Sequence, residues 1–249
     1  MEFLDCNLTY GPDTTDGQLP GCGDIGALWR QLDRAGISGG LVVYAFEEPI
    51  LANETLARDL QTAPAGLKGV WTLLPSCTGE IAAPADLPAL MKRNNIAALT
   101  MNPQMNYYLP RRHVIGDYLE MASERAIPVL LNTGRGLRLE QIDDIMNDFP
   151  NLTAVLSYAQ CWPSDRWFRP LLDAYPNLYY DMSYMQTAAG LPDLVKRYTA
   201  RRILFGSAYP EQYAGALMMV IKHADIGADD KALVAGGNLK RLLEEARYD

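Results

Sequence analysis

Histidine is scarce in this sequence, because its 249 residues include only two, His113 and His223. A catalytic zinc needs about three protein ligands, usually His, Cys, Asp or Glu. His113 opens one predicted helix and His223 lies late in another, where a cation suits the helix dipole. We therefore expect both histidines at the surface, and we predict neither a bound metal nor any other cofactor.

Cysteine, positive charge and long apolar runs are also limited. The four cysteines lie far apart without a C-x-x-C pair, which favours free thiols over two disulfides. The formal net charge of -8 argues against nucleic acid and anionic membranes as partners. No window approaches the roughly 18 apolar residues of a membrane span, and the first residues lack a signal-peptide pattern. We therefore expect a cytoplasmic protein with no membrane partner.

Short apolar runs alternate with helical patterns along the whole sequence. The predicted strands are Phe3–Asn7, Gly40–Tyr44, Val70–Leu74, Ala97–Met101, Pro128–Leu131, Thr153–Leu156, Leu178–Asp181 and Ile203–Phe205. The last two predicted helices are Glu211–Ala224, opened by Pro210, and Lys231–Ala246. Eight strand–helix units in 249 residues predict an α/β fold, a single (β/α)8 TIM barrel in which residues 1–249 form one domain. The alternative is an open doubly wound sheet, whose usual Gly-rich phosphate turn is missing after the first strand.

The carboxyl ends of barrel strands carry the functional residues of this fold class. Here those positions are mostly amide, hydroxyl and aromatic, with few ionisable side chains. We predict that the substrate-binding residues are Asn7, Thr9, Asn132, Arg135, Tyr158, Tyr184, Ser207 and Tyr209. The turn at residues 132–136 either cradles an anion through its backbone N–H groups and Arg135, or is a plain Gly-rich loop. The aromatic loop at residues 102–112 either covers the pocket or packs on the surface.

Several segments together resemble the amidohydrolase-related family, the "amidohydrolase 2" branch of metal-dependent TIM-barrel hydrolases and decarboxylases. The segments are LDCNLTYG, LWRQLDRAGISGGLVVY, IPVLLN, YPNLYYDMS, ILFGSAYP and GGNLKRLL, in the order and spacing of that family. The resemblance covers nearly the whole chain. It implies the barrel fold and a reaction on a small organic acid.

The departures from the family pattern fall on its metal ligands. The resemblance places the two first-strand histidines on Asn7 and Thr9, and the strand-five histidine near Asn132. The strand-six histidine falls near Ser157 or Tyr158, and the strand-eight aspartate falls on Ala208. The comparison thus implies a relative in which every metal ligand of the family is replaced.

Asp181 is the predicted catalytic residue, since it ends a strand and could act as a general base if apolar neighbours raise its pKa. The alternative is a structural carboxylate that caps backbone amides. Asp5 has the same two interpretations. Cys77 and Cys161 are candidate nucleophiles, but no histidine is predicted near either thiol, so inert thiols are expected.

Two functions follow from these observations. The first is a metal-free hydrolase or decarboxylase of a small organic acid, with a carboxylate as ligand. The second is a non-catalytic homologue that binds a small metabolite or serves in an assembly, because the usual ligands are missing. Homo-oligomerisation is the default expectation for either function.

Overall fold

Eight parallel strands form the centre of the computed structural model, which describes residues 1–12, 22–159, 165–185, 187 and 189–249. The strands are β1 Leu4–Tyr10, β2 Gly39–Tyr44, β3 Leu67–Thr72, β4 Ile96–Thr100, β5 Val129–Asn132, β6 Ala154–Ser157, β7 Leu178–Asp181 and β8 Ile203–Leu204. Each strand pairs with the next in chain order. Cys6 N donates to Phe205 O at 2.9 Å, and Thr9 N donates to Tyr209 O at 3.0 Å. These bonds join β1 to the segment that follows β8 and nearly close the barrel, which confirms the predicted fold class.

Helices cover the outside of the barrel. They are α1 Ile25–Ala35, α2 Pro49–Leu60, α3 Leu87–Arg93, α4 Arg112–Glu124, α5 Leu139–Asp148, α6 Asp165–Ala174, α7 Gly190–Tyr198, α8 Ala216–His223, α9 Ala228–Ala232 and α10 Asn238–Glu245. Local signals fix several of their ends. Asp24 caps α1 by accepting from Ala27 N at 2.7 Å, and Gly36 ends it in a left-handed conformation.

Two apolar clusters hold these layers together. One lies inside the barrel and includes Leu41 of β2, Val70 of β3, Leu130 of β5 and Val155 of β6. Leu239 and Leu242 of α10 join this inner cluster. The larger cluster lies between the outer faces of the strands and the helices. Because the strands are covered on both faces, they read as continuous apolar runs in the sequence.

The last part of the chain differs from the sequence prediction. Pro210 does not open a helix, because residues 208–212 form a turn in which Glu211 N donates to Ala208 O at 2.9 Å. Helix α8 therefore begins at Ala216 rather than at Glu211. The predicted helix Lys231–Ala246 begins earlier, at Ala228, and contains a π-helical segment, Leu233–Gly237.

Both histidines lie at the surface, as the sequence predicts. Cys6 and Cys77 are free thiols, whereas Cys161 lies outside the described residues. His113 is exposed in the first turn of α4, and His223 is the exposed last residue of α8. In the described part of the chain, no helix has both the length and the apolar character needed to cross a bilayer.

Candidate functional site

A cavity of about 360 Å³ opens at the carboxyl ends of the strands. Its lining includes Thr9, Tyr44, Phe46, Glu47, Thr72, Asn102, Met105, Asn106, Arg135 and Glu211. Residues from β1, β2 and β3 and from the loops after β4, β5 and β8 thus meet at one place, as the barrel predicts. A larger cavity of about 630 Å³ lies outside the barrel wall, between α2 and α3, and none of the predicted site residues lines it.

Arg135 supplies the positive charge of this mouth cavity. It ends the short turn Thr133–Arg135 after β5, and its Nη2 donates to Thr9 Oγ1 at 3.4 Å. Among the described residues, Arg135 takes part in no ion pair. Its guanidinium therefore retains donors for a carboxylate, which it can bind in a bidentate manner.

Two asparagines of the loop after β4, which also line the cavity, have an unpaired acceptor each within the described part of the chain. The Oδ1 atoms of Asn102 and Asn106 are buried, and neither has a hydrogen-bond partner in the described residues. Asn102 itself is only 7% exposed. Buried polar atoms without a partner are costly in a folded protein. Both side chains line the cavity, whereas these two oxygens are closed to solvent.

Asp181 is fully buried and does not line the cavity. Its Oδ1 accepts from Ser183 N at 2.8 Å and from the Ser183 hydroxyl, and its Oδ2 accepts from Asn7 Nδ2 at 2.8 Å. Complete burial raises the pKa of the Asp181 carboxyl, and these hydrogen bonds from Ser183 and Asn7 oppose that rise. The carboxylate therefore caps the turn Met182–Tyr184 and fixes Asn7.

Gly206 allows this arrangement. A Cβ atom at this position would lie 2.2 Å from Asp181 Oδ1 and 2.6 Å from Ser183 Oγ. Only glycine lets the backbone after β8 pass so close to the carboxylate. The glycine of the ILFGSAYP segment is thus required by packing against a buried acid.

Asp5 is a second fully buried carboxyl on β1. Its Oδ1 accepts from Asn7 N at 2.9 Å and from Ser207 N at 3.0 Å, while its Oδ2 has no partner among the described residues. Burial is the main cause that raises the pKa of Asp5 to about 7, and the nearby Asp181 adds to it. Asp5 therefore ties β1 to the turn after β8.

The other predicted site residues have different positions. Asn132 Oδ1 accepts from Gly134 N at 2.8 Å, and Ser207 Oγ accepts from Tyr209 N at 3.1 Å, so both side chains close local turns. The Tyr209 ring belongs to the outer apolar cluster, and its hydroxyl contacts Cys22. Asn7 and Thr9 lie within β1 rather than after it, because this strand extends to Tyr10.

Tyr158 and Tyr184 meet at a residue that the sequence analysis did not select. Their rings lie 4.9 Å apart between centroids. Tyr158 OH donates to Glu211 Oε1 at 2.9 Å, and Tyr184 OH donates to Glu211 Oε2. The signal was a carboxylate three residues after Ala208, but the sequence prediction placed Glu211 in a helix. Thr72 and Glu47 of the cavity were also missed.

The barrel with a polar cavity at the carboxyl ends of its strands is the architecture of TIM-barrel enzymes. The family model described as Amidohydrolase matches residues 31–244, so the chain belongs to the amidohydrolase family. No curated protein matches the chain in sequence.

Solved structures with this fold cover nearly the whole chain. An uncharacterized TIM-barrel protein from Bordetella bronchiseptica aligns with a TM-score of 0.74 at 19% identity, over 98% of this chain and 99% of that one. The 5-carboxyvanillate decarboxylase from Sphingomonas paucimobilis aligns with a TM-score of 0.72 at 13% identity, over 98% and 99%. The 2,6-dihydroxybenzoate decarboxylase from Rhizobium aligns with a TM-score of 0.72 at 15% identity, again over 98% and 99%. At these identities the likeness establishes the shared fold.

Proposed function

We propose that this protein is a metal-independent hydrolase or decarboxylase of a small organic acid, which binds in the mouth cavity with its carboxylate on Arg135. The observation that carries the proposal is the Arg135 guanidinium, which lines the cavity without an ion-pair partner among the described residues. Asn102 and Asn106 support it, because their side chains line the same cavity and carry amide groups that can hydrogen-bond a polar group of the ligand.

The residues at the metal positions of the family do not fit a divalent transition metal. Thr9 Oγ1 accepts from the positively charged Arg135, which would repel a dication at that oxygen. Asn7 uses its Nδ2 to donate to Asp181 and Ser183. The described residues include no group of three or more His, Cys, Asp or Glu that could hold a metal ion. Amide and hydroxyl oxygens are poor ligands for zinc.

In this proposal the Arg135 guanidinium provides the positive charge at the strand ends of the barrel. Arg135 orients the substrate carboxylate, and the amide groups of Asn102 and Asn106 orient its remaining polar groups. Asp181 acts as a positioning residue, since its oxygens bind Asn7 and Ser183 and it does not line the cavity. This role replaces the expected contact between Asp181 and substrate.

The test compares Arg135→Ala with Arg34→Ala. Arg34 is exposed in the last turn of α1, away from the mouth cavity. With 2,6-dihydroxybenzoate and 5-carboxyvanillate as probes, we expect a ligand-induced rise in melting temperature for the wild type and for Arg34→Ala. In Arg135→Ala, loss of a charge-assisted contact should raise the dissociation constant for each probe at least about tenfold. Equal affinities of the two variants for the probes would show that Arg135 does not bind the ligand.

The second candidate is a non-catalytic binding protein. The observation that favours it is that Asp181, Asn132 and Ser207, all expected at the site, use their side chains in local hydrogen bonds. Product analysis separates the two functions. Carbon dioxide release from the two probes, or hydrolysis of carboxylated esters, supports an enzyme, whereas binding without any product supports the binding protein.

A further inference from the structure

Glu211 is held in place by the turn after β8. Its N–H donates to Ala208 O at 2.9 Å. The next residue, Gln212, donates from Nε2 to Ser183 O at 2.9 Å, which fastens the turn to the end of β7. The backbone of Glu211 is therefore anchored at both sides, although its side chain is exposed at the mouth.

The Glu211 carboxylate is also oriented by two phenols. Tyr158 donates to Oε1 at 2.9 Å and Tyr184 donates to Oε2. Burial raises the pKa of both phenols above their ordinary value, so both hydroxyls keep their protons and donate. The Tyr158 ring packs directly on Gly134, where a Cβ atom would lie 2.6 Å from Cδ1. The carboxylate is thus preorganised by groups that are themselves fixed by packing.

The hydrogen-bond pattern favours a base over an acid. Both oxygens of Glu211 accept hydrogen bonds, as in a deprotonated carboxylate. Each carboxylate oxygen has a further lone pair that can accept a proton from water. Glu211 lines the same cavity as Arg135, so a molecule held by the guanidinium shares that cavity with the carboxylate.

We propose that Glu211 is the general base of a hydrolytic reaction in the mouth cavity, acting on an ester, lactone or amide of a small carboxylic acid. This inference rests on the proposed function, because Arg135 must hold the carboxylate of the substrate. Tyr158 and Tyr184 are positioning residues that act through Glu211.

The step is a general-base hydrolysis. As the water oxygen forms a bond to the acyl carbon, one O–H bond of the water breaks and its proton moves to Glu211. The bond between the acyl carbon and the leaving oxygen or nitrogen then breaks, and the electron pair leaves with that atom. The leaving group takes the proton from Glu211. One water is consumed, and the carboxylate is regenerated.

The experiment compares Glu211→Gln with Glu244→Gln. Glu244 is exposed on α10 and does not line the mouth cavity, so the second variant is a control for loss of a carboxylate elsewhere on the surface. The probe is 4-acetoxybenzoate, whose hydrolysis releases 4-hydroxybenzoate. We expect kcat to fall at least about 100-fold in Glu211→Gln, with KM and the ligand-induced melting shift unchanged. Glu244→Gln should retain the wild-type kcat.

The possible outcomes separate this inference from the proposed function. A kcat of Glu211→Gln within a few-fold of wild type, or an equal loss in Glu244→Gln, overturns the role of Glu211 and leaves the Arg135 site intact. Turnover confined to the decarboxylation probes has the same consequence. If the wild type binds 4-acetoxybenzoate but releases no product, the proposed role of Glu211 as a general base is overturned. If none of the probes gives a product, the enzymatic function fails as well.

Discussion

The buried carboxyl of Asp5 gives the folded protein a pH dependence that one substitution should remove. Its pKa is raised from 3.8 to about 7, mainly by burial. Because the folded state holds the proton more tightly, Asp5 contributes stability that is fully present below its unfolded pKa and lost as the pH rises through about 7. In that window stability falls by about 1.4 kcal/mol per pH unit. The free energy of unfolding should therefore drop by about 3 kcal/mol between roughly pH 5 and pH 8 from this group alone.

The assay is urea denaturation of wild type, Asp5→Asn and Asp33→Asn at these two pH values. Asparagine keeps the Oδ1 acceptor for Asn7 N and Ser207 N but cannot titrate. Asp33 is exposed on α1 and serves as the control. We expect the wild type and Asp33→Asn to lose about 3 kcal/mol more than Asp5→Asn on going from low to high pH. Identical pH dependences for all three proteins would refute the reasoning about Asp5.

Two further substitutions test the packing that supports the site. Gly206→Ala places a methyl group against Asp181 Oδ1 and should lower the free energy of unfolding by about 1–3 kcal/mol. The control is Gly23→Ala, whose new methyl group meets no atom within 4 Å. It should change the free energy of unfolding by less than about 1 kcal/mol. The Arg202 guanidinium donates to three backbone carbonyls, at residues 172, 175 and 178. Arg202→Ala should therefore lower the free energy of unfolding by about 3 kcal/mol. Arg166 is exposed on α6, so Arg166→Ala should leave the free energy of unfolding unchanged. Chemical denaturation measures all four variants, and equal stabilities within either pair would contradict the packing argument.

The fold could be predicted from sequence because its signals are local and repeated. Strand β7 was predicted with the observed bounds, Leu178–Asp181. A strand covered on both faces is a continuous apolar run, and its ends are marked by turn residues. The predicted start of α8 was wrong, because Pro210 and Glu211 are typical of the first turn of a helix. In the structure, Glu211 N donates to Ala208 O, and this segment forms a turn instead. Such a tertiary arrangement leaves no periodic pattern in the sequence.

The site was predicted only in part, because its geometry depends on contacts between distant residues. Thr9 and Arg135 are 126 positions apart and meet in the cavity, and the strand-end rule was sufficient to select both. The rule also selected Tyr209, whose ring turns into the outer cluster instead. Glu211 was missed because only the fold brings it to Tyr158 and Tyr184. The sequence therefore indicated the end of the barrel, but not which side chains face the cavity.

The central claim is that this member of the amidohydrolase family acts on a carboxylate without a metal ion. The most direct measurement determines metal content and turnover of the carboxylated probes in one sample, before and after treatment with a chelator. We predict an unchanged kcat with far less than one metal ion per chain. Loss of turnover on chelation, with recovery after addition of one equivalent of a divalent cation, would contradict the account.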